Sequence, residues 1–294
     1  GLDERSFSFP AKSLIRDIFG RYRYLVLIMA VGIAFRLIAS NARDKHKDPG
    51  VAVLDDSDTF AVSLLSGHIG GGNELTRRIA SLIGAQSVIT TASEVNGYVS
   101  LDMLGRSFGW EVEDGGALTR VSAALVNGEP VGVYQDAGET DWSPEALSPD
   151  TRIISSLEAL RQPDSRAAVI VTDRLLPPQL PVPAVVFRPR SLVVGIGCNR
   201  GTGCAEIEKA VAHLFSENGI STRCIRNLAT IDLKKNESGL LQFAEKYHLP
   251  VEYFDKESLG KVVFPSGPSA AALKHVGVPA VCEAAAILSS SSSL

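Results

Sequence analysis

The chain has 294 residues, 45% of them hydrophobic and 21% charged, and a formal net charge of -4. This is a globular composition with length for two domains of about 100–150 residues each, and its charge gives no long-range pull toward nucleic acid or an anionic membrane. The four cysteines form no CxxC or His-x-x-x-His pattern, so a reduced cytoplasmic protein is expected rather than a disulfide or zinc framework.

Ala11 to Tyr22 carries Leu14, Ile15, Ile18 and Phe19 on one face and predicts an amphipathic helix docked on a sheet. Tyr24 to Met29 is a continuous apolar run, the pattern of a buried parallel strand. The apolar stretch continues to Phe35 but contains Gly32 and stops at Arg36, short of the roughly 18–20 residues of a membrane span. No charged leader with a cleavage site is visible. Gly50 to Leu54 and Phe60 to Leu65, parted by Asp55-Asp56-Ser57-Asp58, predict a hairpin. Ser66-Gly67-His68-Ile69-Gly70-Gly71-Gly72 then leads into a helix, with Asn73 placed as its N-cap and Gly84 as its C-cap. Ser87 to Thr91 is the next predicted strand. It delivers Thr90, Thr91, Ser93, Glu94 and Asn96 to the carboxyl edge at which open sheets bind ligands.

From Gly97 the texture changes. Leu101 to Phe108 and Leu118 to Val126 read as helices, and Val131 to Tyr134 and Ala167 to Thr172 as strands. Pro177-Pro178-Gln179-Leu180-Pro181-Val182-Pro183 is a stiff connector suited to joining domains. Leu192 to Gly197 opens a new unit. Its predicted order is that strand, a helix from Cys204 to Asn218 with Ile207, Val211, Leu214 and Phe215 buried, a strand at Thr222 to Ile225, a helix at Leu240 to Tyr247, and a strand at Val251 to Phe254. This is a βαβαβ unit. The start at Gly1 and the serine run from Ser289 to Ser293 are expected to be trimmed or frayed ends.

Three turns carry candidate chemistry. Gly67-His68-Ile69-Gly70-Gly71-Gly72 fits neither the dinucleotide fingerprint nor a Walker loop. His68 reads either as a hydrogen-bonded structural group or as a group that moves a proton near neutral pH. The amides of Gly70 to Asn73 are candidate donors to an oxyanion or a carboxylate. In Gly195-Ile196-Gly197-Cys198-Asn199-Arg200-Gly201-Thr202-Gly203, Arg200 stands where a dinucleotide loop needs its third glycine. That arginine suits bidentate carboxylate binding. Cys198 reads as a small buried thiol or, with no histidine beside it in sequence, less readily as a nucleophile. The third stretch, Pro265 to Leu273 followed by Val278 to Ala286, places Glu283 at a helix start, which the macrodipole alone favours.

These blocks carry a resemblance. Ser63 to Leu75, Val88 to Gly97 and Val31 to Ala39 are similar to the amino-terminal part of the CbiG family. Gly195 to Thr202, Leu228 to Lys234 with Glu237 and Gly239 to Leu241, and Ser266 to Ala286 are similar to its carboxyl-terminal domain. Departures are a missing first βα unit and a serine tail in place of a closing strand. The resemblance implies two Rossmann-like open-sheet α/β domains joined by a smaller α/β linker region, with boundaries at 1–96, 97–190 and 191–294. It also implies the activity of the cobalt-precorrin-5A hydrolases of anaerobic cobalamin biosynthesis. They open the ring-A acetate δ-lactone of their substrate and release C20 with its methyl as acetaldehyde.

On that implication His68, Glu74 and Glu94 are the candidates for proton transfer. Arg36, Ser66, Gly67, Gly70, Gly71, Asn73, Thr91, Asn199, Arg200, Lys234, Ser266 and Glu283 are the candidates for substrate binding, arranged across an interdomain cleft. Cobalt arrives inside the substrate, so no cofactor or protein metal site is expected. The expected partners are the cobalt-precorrin and, beyond it, other enzymes of the pathway and a second copy in a homodimer. A corrinoid carrier without catalysis and a Rossmann-like nucleotide-binding enzyme are the alternatives.

Overall fold

The computed structural model describes residues 11–44, 47–91, 97–161, 165–263 and 265–291, apart from the side chains of residues 271, 275 and 291. Its elements are mixed α/β, in three open sheets. The chain forms two compact units. The first comprises Gly1–Leu104, Leu125–Gly128 and Glu145–Asp150, and the second comprises Gly105–Ala124, Glu129–Pro144 and Thr151–Leu294.

The sheet of the first unit has the order β1(Tyr24–Ile28), β2(Gly50–Leu54), β3(Phe60–Leu65), β4(Gln86–Val88). β1 and β2 are parallel, β2 and β3 form the expected antiparallel hairpin, and β3 and β4 are parallel across a helical crossover. Helices α1(Ala11–Ile18) and α2(Val31–Ile38) cover one face, where Ile15, Phe19, Leu25, Leu27, Ala34, Ile38, Val51 and Val53 pack together. Helix α3(Gly72–Ile83) lies against β2 and β3, its Ala80 meeting Leu54 and Ala61. The reading of Tyr24 to Met29 as a buried parallel strand holds for its parallel pairing with β2 and is corrected for its burial. β1 is an edge strand in which only Leu25 and Leu27 are buried, while Val26 and Ile28 are exposed. A continuous apolar run does not reveal how many faces of a strand are covered.

In the second unit a five-stranded sheet has the order β5(Glu111–Val112), β9(Ala184–Arg188), β8(Ala167–Val171), β6(Val131–Gln135), β7(Thr151–Ile153). Helix α4(Leu118–Val126) forms as predicted. Leu101 to Phe108 does not form one helix. Two 3-10 turns, Leu101–Met103 and Arg106–Phe108, are separated by Gly105 at φ 69. The proline-rich segment is also corrected. It does not join domains but crosses over between β8 and β9, which pair in parallel in the same sheet, a pairing that needs a long connection.

The remaining sheet is all parallel, in the order β10(Leu192–Gly195), β11(Ile225–Ile231), β12(Val251–Phe254). Helices α5(Cys204–Glu217) and α6(Ser238–Lys246) cover one face through Ile207, Val211, Phe215, Leu240 and Phe243. Helices α7(Lys256–Gly260) and α9(Cys282–Ser291) pack on the other through Leu259, Ala284 and Ala285, with the short α8(Ala270–His275) before α9. Three expectations change here. Thr222–Cys224 is a 3-10 turn, and the strand begins at Ile225. Leu214 is exposed, on the outer side of α5. The serine run is not wholly frayed, since α9 extends through Ser291 and buried Ser289 accepts a 2.8 Å hydrogen bond from Asn227 Nδ2.

The two sheets of the second unit are stitched together by ions and backbone. Glu111 accepts from Arg190 at 3.2 Å and from Arg223 at 3.4 Å. The amide of Ser221 donates to Asp173 O, and that of Leu175 to Gly219 O, both at 2.7 Å. Arg188, 1% exposed, donates to Glu113 at 2.6 Å and to the carbonyls of Thr172 and Arg174. A buried guanidinium is tolerated only when paired and fully hydrogen-bonded in this way.

Candidate active site

The glycine-rich turn leaves β3 at Leu65 and enters α3 at Gly72. The register places it at the carboxyl ends of β3 and β4 and the amino ends of β1 and β2, because the hairpin reverses the sheet. Its glycines serve the turn itself. A side chain at Gly67 would stand 2.5 Å from Asn73 Oδ1, and one at Gly72 2.6 Å from Leu65 O. A side chain at Gly70 would overlap Ser66, and Gly71 has φ 77 beside the Tyr24 hydroxyl. Ser66 itself has φ 51, a sparsely populated conformation for a serine. Its buried Oγ has no hydrogen-bond partner among the described residues.

The amides of the turn are largely occupied within it. Gly71 N donates to His68 O, Gly72 N to Ser66 O, and Asn73 N to Gly67 O, at 2.9–3.0 Å. Asn73 is not the N-cap. That position belongs to Gly71 in the left-handed region, and Asn73 is the second residue of the helix, 3% exposed. Its Oδ1 accepts from Ser63 Oγ at 2.7 Å and its Nδ2 donates to Thr91 Oγ1 at 3.3 Å. One side chain thus ties the helix start to β3 and to the segment after β4.

Against this turn stands a pair of residues that the sequence did not single out. Ser100 Oγ donates to Asp102 Oδ1 at 2.5 Å and lies 3.2 Å from His68 Nδ1. The direct separation of His68 Nδ1 from Asp102 Oδ1 is 3.7 Å, with the two side chains 21% and 11% exposed. The 3-10 turn that carries them is held by buried Leu101 and by the amide of Val99, which donates to Ala146 O at 2.7 Å. Ser100 occupies the N-cap position of that turn without capping it, so its hydroxyl serves Asp102 and His68. Its only sequence signal is a Ser-x-Asp spacing astride an apolar residue, at the start of the stretch Leu101 to Phe108 that reads as helix.

Two other candidates of this unit lie on its helices. Glu74 is exposed on α3 and pairs with Arg77 at 3.5 Å, and Arg36 is exposed on α2. Glu94, with Ser93 and Asn96, lies outside the described residues.

In the second unit the Cys198–Gly203 turn follows β10, and the amide of Gly201 donates to Glu237 Oε2 at 3.1 Å. Lys234 Nζ donates to Glu237 Oε1 at 2.9 Å. The Lys234 hydrogen bond, reinforced by the Gly201 amide and weakly by the Arg200 charge, holds the Glu237 carboxyl below the ordinary glutamate range. Asn199 and Arg200 are exposed on this turn. Ser266 donates through its hydroxyl and its amide to Glu283, so these two candidates meet each other. Cys282, beside Glu283, abuts the Gly195–Gly197 backbone and requires glycine at both positions. Burial raises the Cys198 thiol, which disfavours the thiolate that a nucleophile needs. Among the described residues no group of three or more His, Cys, Asp or Glu side chains could hold a metal ion, and no helix is long and apolar enough to cross a membrane.

Open α/β sheets, with His68 of a glycine-rich turn beside Ser100 and Asp102 of a second turn, define the chain as a mixed α/β protein with a candidate polar site. Comparison with known families places it further. Residues 13–94 match the family described as Cobalamin synthesis G N-terminal, 99–189 the Cobalamin biosynthesis central region, and 192–294 the Cobalamin synthesis G C-terminus. A cobalt-precorrin-5A hydrolase of Priestia megaterium is 38% identical over 96% of this chain and 76% of its own. One from Salmonella typhimurium is 35% identical over 95% and 79%. The crystal structure of a putative cobalamin biosynthesis protein G homolog from Sulfolobus solfataricus aligns over 95% of this chain and 82% of its own, at 18% identity and a TM-score of 0.39. The chain belongs to the cobalamin synthesis G (CbiG) family.

Proposed function

We propose that the chain is a cobalt-precorrin-5A hydrolase that opens the ring-A acetate δ-lactone and releases C20 as acetaldehyde. The observation that carries this reading is the likeness, along almost the whole chain, to relatives of that name. In this reading cobalt enters within the substrate.

In this reading the His68 imidazole carries the proton transfers of lactone opening. The imidazole takes a proton from water as the water oxygen attacks the lactone carbonyl. It returns that proton to the ring oxygen as the tetrahedral intermediate collapses. The hydroxyl so released on C20 then loses its proton, and its oxygen forms a carbonyl as the carbon–carbon bond to the macrocycle breaks. The electron pair passes to the ring, which takes up a proton. The exposed guanidiniums of Arg36 and Arg200 are suited to the peripheral carboxylates of such a substrate. Lys234 offers less, because its charge is engaged by Glu237.

The test is turnover of cobalt-precorrin-5A in ¹⁸O-labelled water, read by the mass of the corrinoid. Hydrolysis at the acyl carbon leaves one labelled oxygen on the acetate side chain after the two-carbon unit has gone. A corrinoid that loses the two carbons without the label rejects acyl attack, and a substrate recovered unchanged rejects the hydrolase.

A further inference from the structure

We infer that Asp102, acting through the Ser100 hydroxyl, is a positioning residue that holds His68 in the tautomer protonated at Nδ1 and so makes Nε2 the proton-accepting nitrogen. The argument is one of proton counting. A serine hydroxyl has a single proton to donate, and a carboxylate accepts but does not donate. At 2.5 Å from Asp102 Oδ1, the Ser100 proton is committed to the carboxylate. The Ser100 oxygen, 3.2 Å from His68 Nδ1, is therefore left to accept, and the ring must supply the proton from Nδ1. The direct His68–Asp102 distance of 3.7 Å is too long for a hydrogen bond, so the hydroxyl is the link between them. A carboxylate that fixes an imidazole tautomer and steadies the imidazolium formed during turnover is an established device in proton-transfer sites. Here it operates with a hydroxyl interposed.

Two features suit these groups to orienting a ring. Ser100 sits at an N-cap position and makes no capping bond. The turn that bears both residues is anchored by buried Leu101 and by the Val99 amide, which donates to Ala146 O at 2.7 Å.

This inference rests on the proposed role of His68 in hydrolysis, and the test separates the two. Protein labelled with ¹⁵N at histidine is examined by long-range proton–nitrogen correlation NMR, which distinguishes the two neutral tautomers. In the wild type the His68 signals show hydrogen on Nδ1. Asp102→Asn supplies an amide that can donate to Ser100, and Ser100→Ala removes the link; in each the tautomer shifts or becomes mixed. In the turnover assay both variants lose kcat by roughly 10²-fold, within the range that positioned acid–base groups contribute, while KM stays near the wild-type value. Asp102→Glu restores part of the lost rate. Circular dichroism checks folding, and if one variant does not fold the other is decisive. An unchanged His68 tautomer in the folded variants overturns the inference. A tautomer that shifts while the wild type releases no acetaldehyde upholds the positioning role and rejects the hydrolase.

Discussion

Asn73, one residue inside α3, accepts a 2.7 Å hydrogen bond from Ser63 in β3. The bond fixes the angle at which the glycine-rich turn leaves the sheet, and its carboxamide is buried at 3% exposure. Asn73→Ala strands the Ser63 and Thr91 hydroxyls and is expected to cost about 1–3 kcal/mol, the penalty for buried polar groups left without partners. A urea titration reads this as a lower midpoint with an unchanged slope. In a double-mutant cycle with Ser63→Ala the two positions couple by roughly 0.5–3 kcal/mol, and strict additivity would show that they do not act as one clamp.

His68→Ala is expected to lower kcat by roughly 10²–10⁴-fold, the usual contribution of a positioned acid–base side chain. Substrate binding, followed through the corrinoid absorption, stays near the wild-type value. A variant that keeps its rate would remove His68 from the chemistry.

Lys234 and Glu237 give a prediction for pH. The Glu237 carboxyl is held below the ordinary glutamate value by Lys234 first and the Gly201 amide next. A group whose folded pKa is depressed adds stability above its unfolded value, about 4.3 for glutamate, and that stability drains away as pH falls through the lower folded value. Thermal melts of the wild type should therefore lose more stability between neutral pH and strongly acidic pH than those of Glu237→Gln. Parallel curves for the two proteins would show that the pair contributes nothing.

Cys224 is fully buried, its sulfur directed at Thr172 O, and burial pushes its thiol up to about 12. Native protein treated with iodoacetamide near pH 8 should leave Cys224 unmodified by peptide mass mapping and label it after denaturation. Labelling without denaturation would mean that the junction between the two sheets opens readily.

Much of this architecture is legible in the residues. The hairpin announces itself through two apolar runs around Asp55–Asp58, and the βαβαβ order of 192–254 through apolar periodicity broken by glycine. The illegible parts depend on contacts distant in the chain. Ala184–Arg188 is a central strand concealed behind a proline run, and its Arg188 is buried only because Glu113 and two carbonyls receive it. Asn73 has the right residue type for a cap, but Gly71 takes the cap position and frees the carboxamide for the sheet. His68 stands out in the sequence through its glycine-rich surroundings. Its orienting partners, Ser100 and Asp102, lie more than thirty residues away on a short turn, where no local periodicity could reveal them.

The most direct measurement is the amount of acetaldehyde released per corrinoid bound when the purified protein is given cobalt-precorrin-5A. The proposal predicts one acetaldehyde for each substrate converted in the wild type and almost none from His68→Ala at equal binding. A wild-type protein that binds the corrinoid and releases no acetaldehyde would contradict it.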